Sequence, residues 1–398
     1  MSEPDYGTVE VGSDPEQPPL DWFVEKRYSH MAASTRENIG NSIRFFRKWL
    51  RDDLPWILYD DDDAATIAHK REQWGGAVTH ERDVNWTTGG DLRPQDVGIE
   101  EATQFLQAIA AHPGYGGGTE RKRADAIQMF YEFCSDRVHS WFTGTPNAIK
   151  IAREQGGDKI IGSGTPRNPE IISVSAMGEY IRSFAHPLWE AITALLAKTT
   201  IRRGVLHNLD LQDIYLDHPA CTWDTHRALR HKDRPFLFVS SEPAEDEYWN
   251  KRDRVPNASN KTSVDRVIPI DDELRDLLLR WLAAHPGPLS SSTPLFVSLV
   301  DNWGQRLHPV SITHTIRNHS KELGYFYGVR DDDNINPHYF RHWATSVIDE
   351  RLEATSGGGH ATTTKLLRGD QEDTMANYTH WSDGRVERYL DICPTFYR

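Results

Sequence analysis

Cysteine is scarce in this sequence. Only three occur among 398 residues, namely Cys134, Cys221 and Cys393. A disulfide framework needs paired cysteines and a cysteine-based zinc site needs closely spaced ones, so neither is expected. Long apolar runs are also missing, since no stretch approaches the roughly 20 apolar residues that span a bilayer. The first residues are acidic and lack the apolar segment of a signal peptide, so we expect a soluble, cytoplasmic protein.

Positive charge is in deficit as well. The 45 Lys and Arg residues are outnumbered by 59 Asp and Glu residues, which gives a formal net charge of −14. Binding of a polyanion depends on local patches rather than on the total, so this excess does not exclude one. Basic clusters occur at residues 121–123, 230–234 and 251–254. Each of them is explained equally well as a solvated face.

Apolar residues between positions 21 and 140 recur at helical spacing, which predicts a small helical domain. Ser34 and Glu37 have the spacing of a capping box, and the apolar positions that follow lie three or four residues apart. Two further amphipathic stretches flank the helix-breaking sequence at 112–118. Residues 1–20 indicate a flexible acidic tail, and residues 52–95 a loop-rich insertion without a predicted function.

The pattern changes after a glycine-rich stretch at 141–167, which we interpret as an interdomain linker. Residues 168–384 then predict a second domain that mixes helices with a few strands, and residues 385–398 a short C-terminal tail. Helices are expected at 175–184 and 188–199, and strands at 235–240, 264–270 and 294–298. The expected fold class is mainly α with a small β-sheet.

The segment Asn336–Ser346, with the sequence NPHYFRHWATS, contains candidate residues for binding a phosphate group. Pro337 is typical of a helix start, so His338 and Arg341 would be neighbours one turn apart on a helix. An arginine fork and a histidine donor together suit a phosphate group. An ordinary helix surface explains the same two residues when they are taken alone.

The wider string resembles the second arginine box of the tyrosine recombinases, the phage-integrase family, which usually has the form P-H-x-L-R-H-x-x-A-T. Thr199–Ile214 resembles the first arginine box and aligns Arg202 with its catalytic arginine. Arg203 is the rival, but adjacent helical residues point about 100° apart, so one phosphate would take only one of them. Thr200 and Val205 stand where the family usually has Gly and Glu.

Three more segments resemble the family in the expected order. Residues 260–270 resemble the hairpin that carries the catalytic lysine, here Lys261, and residues 295–324 resemble the stretch that links it to the second arginine box. Residues 366–381 resemble the nucleophile segment, with Tyr378 followed by Thr379 and His380. Asp370 occupies a position where the family has His or Trp, and it would hold a neighbouring His or Arg in place.

This resemblance implies a helical SAM-like core-binding domain followed by a mixed α+β catalytic domain. It further implies cleavage and rejoining of DNA strands through a 3′-phosphotyrosine, without a metal or other cofactor. Double-stranded DNA would be the partner, bound by a homo-oligomer that ranges from dimer to tetramer, with the C-terminal tail packed on a neighbouring protomer. The residues implied are Arg202, Lys261, His338, Arg341 and Tyr378 for catalysis, with Asp370 as a candidate, and Arg121, Lys122, Arg123 and Arg203 for DNA binding.

Other functions remain open on the sequence alone. A type IB topoisomerase shares this chemistry but relaxes supercoils instead of exchanging strands. The departures at Val205 and Asp370 leave room for a catalytically inactive DNA-binding relative. An unrelated helical scaffold is the third alternative.

Overall fold

The computed structural model divides the chain into two compact units, residues 1–166 and 167–398. It describes residues 23, 33–88, 90, 92–137, 147–162, 170–230, 232–242, 260, 265–287, 293–300, 302–325, 334–356, 367–368 and 381–397. The predicted tail at 1–20 lies outside these residues, as do Lys261, Asp370 and Tyr378. Within the described ranges, no helix is both long enough and apolar enough to cross a membrane.

The first unit is helical with one minimal sheet. Short 3₁₀ turns lie at 75–77, 81–83 and 94–96, and a π turn at 153–157. The β1 and β2 strands pair in parallel over two residues each. The helices and strands are α1 (Ala33–Leu50), β1 (Ile57–Leu58), α2 (Ala64–Trp74), β2 (Thr79–His80), α3 (Ile99–Ala110), α4 (Gly117–Arg137), α5 (Ala148–Ala152) and α6 (Asp158–Ile160).

Aromatic side chains form the core of this unit. Phe46 and Trp49 of α1 contact Phe105 of α3, with ring centroids 4.9 and 5.1 Å apart. The segment at 52–95 is part of this core, because Trp56 is 1% exposed and the Trp49 indole donates to the backbone oxygen of Trp86 at 2.9 Å. The same segment includes helix α2, so the prediction that residues 52–95 are loop-rich was wrong for this part. The side chain of Ser34 is outside the described residues, so the capping box stays a prediction.

We predicted an interdomain linker at 141–167, and this prediction was wrong for residues 147–162, which are the described part of that stretch. Residues 147–162 include α5 and α6, and the apolar side chains of Ile149 and Ile161 are fully buried in the core of the first unit. Arg153 forms ion pairs of 2.8 Å with both Asp125 and Asp158, which fixes the turn that follows α5. The glycine content of this stretch predicted a linker, but its few apolar side chains pack in the core of the first unit and hold the described part there.

The second unit has a small antiparallel sheet within a helical frame, as predicted. Its elements are α7 (Val174–Arg182), α8 (Pro187–Thr199), α9 (Arg203–Asn208), β3 (Ile214–Tyr215), β4 (Phe236–Val239), β5 (Arg266–Pro269), α10 (Asp272–Ala284), α11 (Pro309–Glu322), α12 (Pro337–Ser356) and α13 (Asp383–Ile392). The sheet order is β3-β4-β5, with Leu237 opposite both Ile214 and Ile268. The strand predicted at 294–298 is represented by two isolated bridges.

Helix α8 lies at the centre of this unit. Nine consecutive residues, 191–199, are buried, because the helix is apolar on nearly all of its faces and must be covered on all of them. Helices α10 and α12 pack against it. Its C-terminal end therefore lies deep in the unit, and the chain leaves it directly into the first arginine box.

Described residues of the C-terminal tail pack on the second unit of their own chain, and packing of the tail on a neighbouring protomer stays a prediction. Tyr389, on α13, donates its hydroxyl to the backbone oxygen of Lys198 at 2.6 Å. Phe396 is 2% exposed and its backbone amide donates to the Glu273 carboxylate at 2.9 Å. Gly178 allows this approach, because a Cβ there would lie 3.1 Å from the Phe396 oxygen.

A Lys198→Met variant is expected to lower the free energy of unfolding of the second unit by about 3–5 kcal/mol. The Lys198 ammonium is fully buried and lies 2.6 Å from Asp271 and 2.8 Å from Glu273. It also donates to the backbone oxygen of Pro394 at 2.5 Å. Removing the cation leaves the largely buried carboxylates of Asp271 and Glu273 without the positive charge of Lys198. Denaturant unfolding monitored by circular dichroism measures the loss.

The matched control is Arg280→Met on α10, because Arg280 pairs with Glu190 at 3.4 Å while it stays 53% exposed. A partly solvated pair contributes at most about 1 kcal/mol, so this variant should unfold close to the wild type. Adding Glu273→Gln to Lys198→Met should restore part of the lost stability. Equal losses in Lys198→Met and Arg280→Met would contradict the prediction.

Candidate active site

The first arginine box begins with a reversal of the backbone at Thr200. This residue ends α8 in the left-handed conformation, with φ 56° and ψ 11°. Arg202 follows with φ −81° and ψ 154°, which is extended, and it is the residue that precedes α9. Our expectation that Arg202 and Arg203 are both helical was therefore wrong for Arg202. Arg203 is exposed and donates to the Thr313 hydroxyl on α11.

The second arginine box begins helix α12, as predicted from Pro337. The side-chain oxygen of Asn336 accepts hydrogen bonds from the amides of His338 and Tyr339 at 2.8 and 3.0 Å, which satisfies the first turn. The Trp343 indole donates to the backbone oxygen of Ile172 at 2.7 Å. These contacts fix the start of α12 within the second unit.

Arg341 joins the two arginine boxes. It is 2% exposed, and its Nη1 donates to the backbone oxygen of Thr200 at 2.7 Å. The two residues are 141 positions apart in the chain. The backbone turn at Thr200 thus presents a carbonyl to Arg341 two residues before Arg202, so the two segments that resemble arginine boxes are in contact at this point.

His338 is exposed and has a histidine partner that the sequence analysis missed. The Nε2 atoms of His338 and His342 are 2.9 Å apart, and the two rings meet edge to face. One ring must donate and the other accept in this hydrogen bond. The i, i+4 spacing of the two histidines on a predicted helix was a signal that could have revealed the pair.

Lys261 lies outside the described residues, but the residue before it contacts the first arginine box. Asn260 is 2% exposed, and its side-chain oxygen accepts a hydrogen bond from Asn208 at 2.6 Å. Asn208 is the last residue of α9, which Arg202 precedes. Asn260 also donates to the backbone oxygen of Ser240, next to β4, at 2.8 Å. The hairpin segment is therefore fixed at this end to the helix that follows Arg202.

Asp370 and Tyr378 also lie outside the described residues, while both flanks of their segment contact β5. The Arg266 guanidinium donates to the backbone oxygen of Leu367 at 3.1 Å. The Trp381 indole donates to the backbone oxygen of Val267 at 2.6 Å. Consequently, the described residues on either side of the segment that includes the predicted nucleophile are both hydrogen-bonded to β5.

The linking segment at 295–324 supports the first arginine box. Arg306 is 7% exposed, pairs with Asp210 at 2.5 Å and donates to the backbone oxygen of His207 at 3.0 Å. The His207 Nδ1 is hydrogen-bonded to the backbone oxygen of Leu307 at 2.9 Å. Burial raises the pKa of the neighbouring Asp213 to about 7. These buried polar contacts hold the C-terminal end of α9 in place.

The predicted DNA-binding triplet lies on α4 in the first unit. Arg121 and Lys122 are exposed, whereas Arg123 is half-buried and lies over the ring of Tyr115. Among the described residues, no group of three or more His, Cys, Asp or Glu side chains is arranged to hold a metal ion.

Solved structures share this arrangement of elements. No protein-family model matches the sequence, and no curated protein matches it by sequence. The Tn1549 transposon integrase, solved with transposon right-end DNA, superposes with a TM-score of 0.55 over 94% of this chain and 98% of its own, at 12% identity. A lambda integrase dimer bound to a COC′ core site gives 0.53 over 92% and 78%, at 14% identity.

The chain has the fold of the tyrosine recombinases. Within this fold, the surroundings of Val205 and Thr200 explain the two departures from the first arginine box. Val205 is 1% exposed and packs in the core of the second unit, so an apolar residue suits its surroundings. Thr200 occupies a left-handed position, which is where glycine costs least.

A Thr200→Gly variant of this recombinase fold is expected to raise the free energy of unfolding by about 1 kcal/mol. The left-handed conformation costs a residue with a Cβ roughly 1–2 kcal/mol, and glycine loses about 0.5–1 kcal/mol through its freer unfolded chain. The buried Thr200 hydroxyl also lacks a hydrogen-bond partner in the described chain, so its removal leaves nothing unpaired. Denaturant titration compares the two proteins.

Thr199→Gly is the control for this prediction. Thr199 is equally buried but helical, and its hydroxyl donates to the backbone oxygen of Leu195 at 2.6 Å. Glycine there should destabilise the protein. The prediction fails if both variants lose stability to the same extent.

Proposed function

We propose that this chain is a site-specific DNA recombinase that cleaves and rejoins DNA strands through a 3′-phosphotyrosine intermediate. It would act in integration, excision or resolution of DNA. The proposal rests on the chemistry of the side chains in the second unit and on the fold that it shares with integrases.

One observation carries the proposal: hydrogen bonds join segments that resemble the recombinase boxes and lie far apart in sequence. Arg341 bonds to Thr200, Asn208 bonds to Asn260, and β5 bonds to both flanks of the segment around Tyr378. An unrelated helical scaffold has no reason to bring these particular segments together.

The cations would act on the scissile phosphate. A DNA phosphodiester is anionic, and charge builds on its oxygens as the phosphorus becomes pentacoordinate. Arg202 and Arg341 would neutralise this charge, and His338 would add a directional hydrogen bond. Arg341 is well suited to this role because its burial and its bond to Thr200 hold its position before substrate binds.

Tyr378 would be the nucleophile and Lys261 the general acid. The phenolic oxygen of Tyr378 would bond to phosphorus as it loses its proton, and the bond from phosphorus to the 5′ oxygen would break. Lys261 would protonate that leaving oxygen. A free 5′ hydroxyl then reverses the same steps and rejoins the strand. The phosphotyrosine link conserves the energy of the phosphodiester, so the chemistry requires neither ATP nor another cofactor.

Double-stranded DNA would be the partner. The matched Tn1549 and lambda integrase structures are complexes with DNA. Arg121, Lys122, Arg123 and Arg203 would contact the backbone, where contacts position the protein without reading sequence. Strand exchange between two duplexes would require a dimer to tetramer of this chain. We propose that it acts in the cytoplasm.

The test is a covalent adduct with a nicked suicide duplex that carries the cognate site, or with a pool of host and element sequences. The wild-type chain should form an adduct that survives denaturation, and peptide mass mapping should find the modification on Tyr378. Binding of the same duplex without an adduct would instead identify an inactive DNA-binding relative.

A second measurement distinguishes a recombinase from a topoisomerase of type IB. Two labelled duplexes with the site should yield recombinant strands if the chain is a recombinase. Relaxation of supercoiled DNA without recombinant strands would indicate a topoisomerase of type IB.

A further inference from the structure

Arg123 belongs to an aromatic cluster of the first unit rather than to the solvated face of α4. Its guanidinium lies 4.3 Å from the ring centre of Tyr115 and 5.4 Å from that of Phe45. His112 stacks on Tyr115 with ring centres 3.3 Å apart. Two groups cannot cover the same face of one ring, so Tyr115 lies between His112 and Arg123. The stack fixes the plane of the guanidinium.

This cation has no described counter-ion. Its Nε and Nη1 atoms are buried, and no hydrogen-bond acceptor among the described residues reaches them. No described carboxylate lies within ion-pair distance of it. Burial lowers the pKa of Arg123, and the charge of Arg44 lowers it further. A half-buried charge without a counter-ion is costly, and an anionic ligand that pairs with it would remove part of that cost.

The neighbouring histidine adds no opposing charge. The Nδ1 atom of His112 accepts a hydrogen bond from the Gly114 amide at 3.0 Å, which assigns the ring proton to Nε2. Burial, with the charge of Arg123 as the second cause, lowers the pKa of His112 to about 4. At neutral pH the cluster therefore offers the positive charge of Arg123 and, beside it, that of the exposed Arg44.

We infer that Arg123 is a preformed anchor for one backbone phosphate of duplex DNA. The inference rests on the proposed function for its ligand and extends it with a specific subsite in the first unit. Arg121 and Lys122 are exposed on the same helix and have to be ordered when DNA binds. Arg123 is already held by Tyr115, so it loses little conformational entropy on binding and contributes more affinity than either neighbour.

The test compares duplex binding by the full chain and its Arg123→Met variant across a salt series. Methionine keeps an extended apolar side chain over Tyr115 and removes the charge. We expect the affinity at low salt to fall about 5- to 10-fold and the slope of log K against log salt to become shallower by about 0.9, the value for one phosphate contact. Arg123→Lys should keep the slope but lose part of the affinity, because lysine lacks the planar fork.

Arg153→Met is the matched control. It removes a positive charge from the same unit, but one already neutralised by Asp125 and Asp158. Its salt slope should equal that of the wild type, whatever its stability. Circular dichroism verifies that each variant is folded at the assay temperature.

A second arm uses inorganic phosphate without DNA. Replacing chloride by phosphate at equal ionic strength should raise the Tm of the wild type more than that of Arg123→Met. An unchanged salt slope in Arg123→Met, or an equal response of both proteins to phosphate, overturns the inference. If the wild type binds no duplex, the phosphate arm alone decides. A wild type that forms no covalent adduct, yet shows both effects of Arg123, retains the anchor and refutes the recombinase proposal.

Discussion

A Tyr378→Phe variant is expected to form no covalent adduct with a nicked duplex, while it binds that duplex with unchanged affinity. The replacement removes only the phenolic oxygen, which is the atom that would bond to phosphorus. Neither the aromatic ring nor a charge is lost, so DNA binding and folding should be retained. The assay measures the fraction of labelled DNA that stays with the protein after denaturation, beside a gel-shift titration of the same variant.

Tyr397→Phe is the matched control for this result. Tyr397 is 37% exposed and its ring lies beneath Arg182 and Arg280, neither of which is in a segment that resembles a recombinase box. This variant should form the adduct at the wild-type rate. Persistence of the adduct in Tyr378→Phe would show that another residue is the nucleophile.

An Arg341→Lys variant is expected to form the adduct about 10²- to 10³-fold more slowly, the usual cost of removing one donor to a developing oxyanion. Arg341 is buried and already donates to the Thr200 oxygen at 2.7 Å. A guanidinium has five N–H groups, so it can hold this bond and still present a fork to a phosphate. The single ammonium of lysine cannot reproduce that geometry. Single-turnover cleavage at saturating protein measures the rate.

Arg351→Lys provides a control on the same helix. Arg351 also donates to a backbone carbonyl, that of Ile392, at 2.8 Å. Each variant perturbs a hydrogen bond to a backbone carbonyl, and both should lose comparable stability, on the order of 1–3 kcal/mol. Arg341→Lys alone should slow cleavage. A parallel loss of activity in both would mean that Arg341 contributes only to folding.

Local signals in the sequence were sufficient for the elements around the site. The prediction of helices at 175–184 and 188–199 and of strands at 235–240 and 264–270 is confirmed to within a few residues by α7, α8, β4 and β5. Pro337 predicted the start of α12, because proline favours the first helical turn wherever it occurs. Such signals act between residues a few positions apart.

Signals that depend on distant contacts were missed. Residues 147–162 have the glycine content of a linker, yet Ile149 and Ile161 are buried among α3 and α4 residues. The C-terminal tail likewise has no local feature that identifies its contacts within the chain. These contacts depend on Lys198 and Glu273, which bind the backbone of residues 394–397.

The sequence by itself determined the order and spacing of the recombinase-like segments, the mainly helical class and the residue types available for phosphate chemistry. The tertiary structure decided how these residues are arranged. It turned the backbone at Thr200 so that a carbonyl contacts Arg341, left Arg202 extended instead of helical, and directed Arg123 onto Tyr115. Periodicity along a chain specifies which face of a helix is apolar, but only packing between distant segments specifies what that face meets.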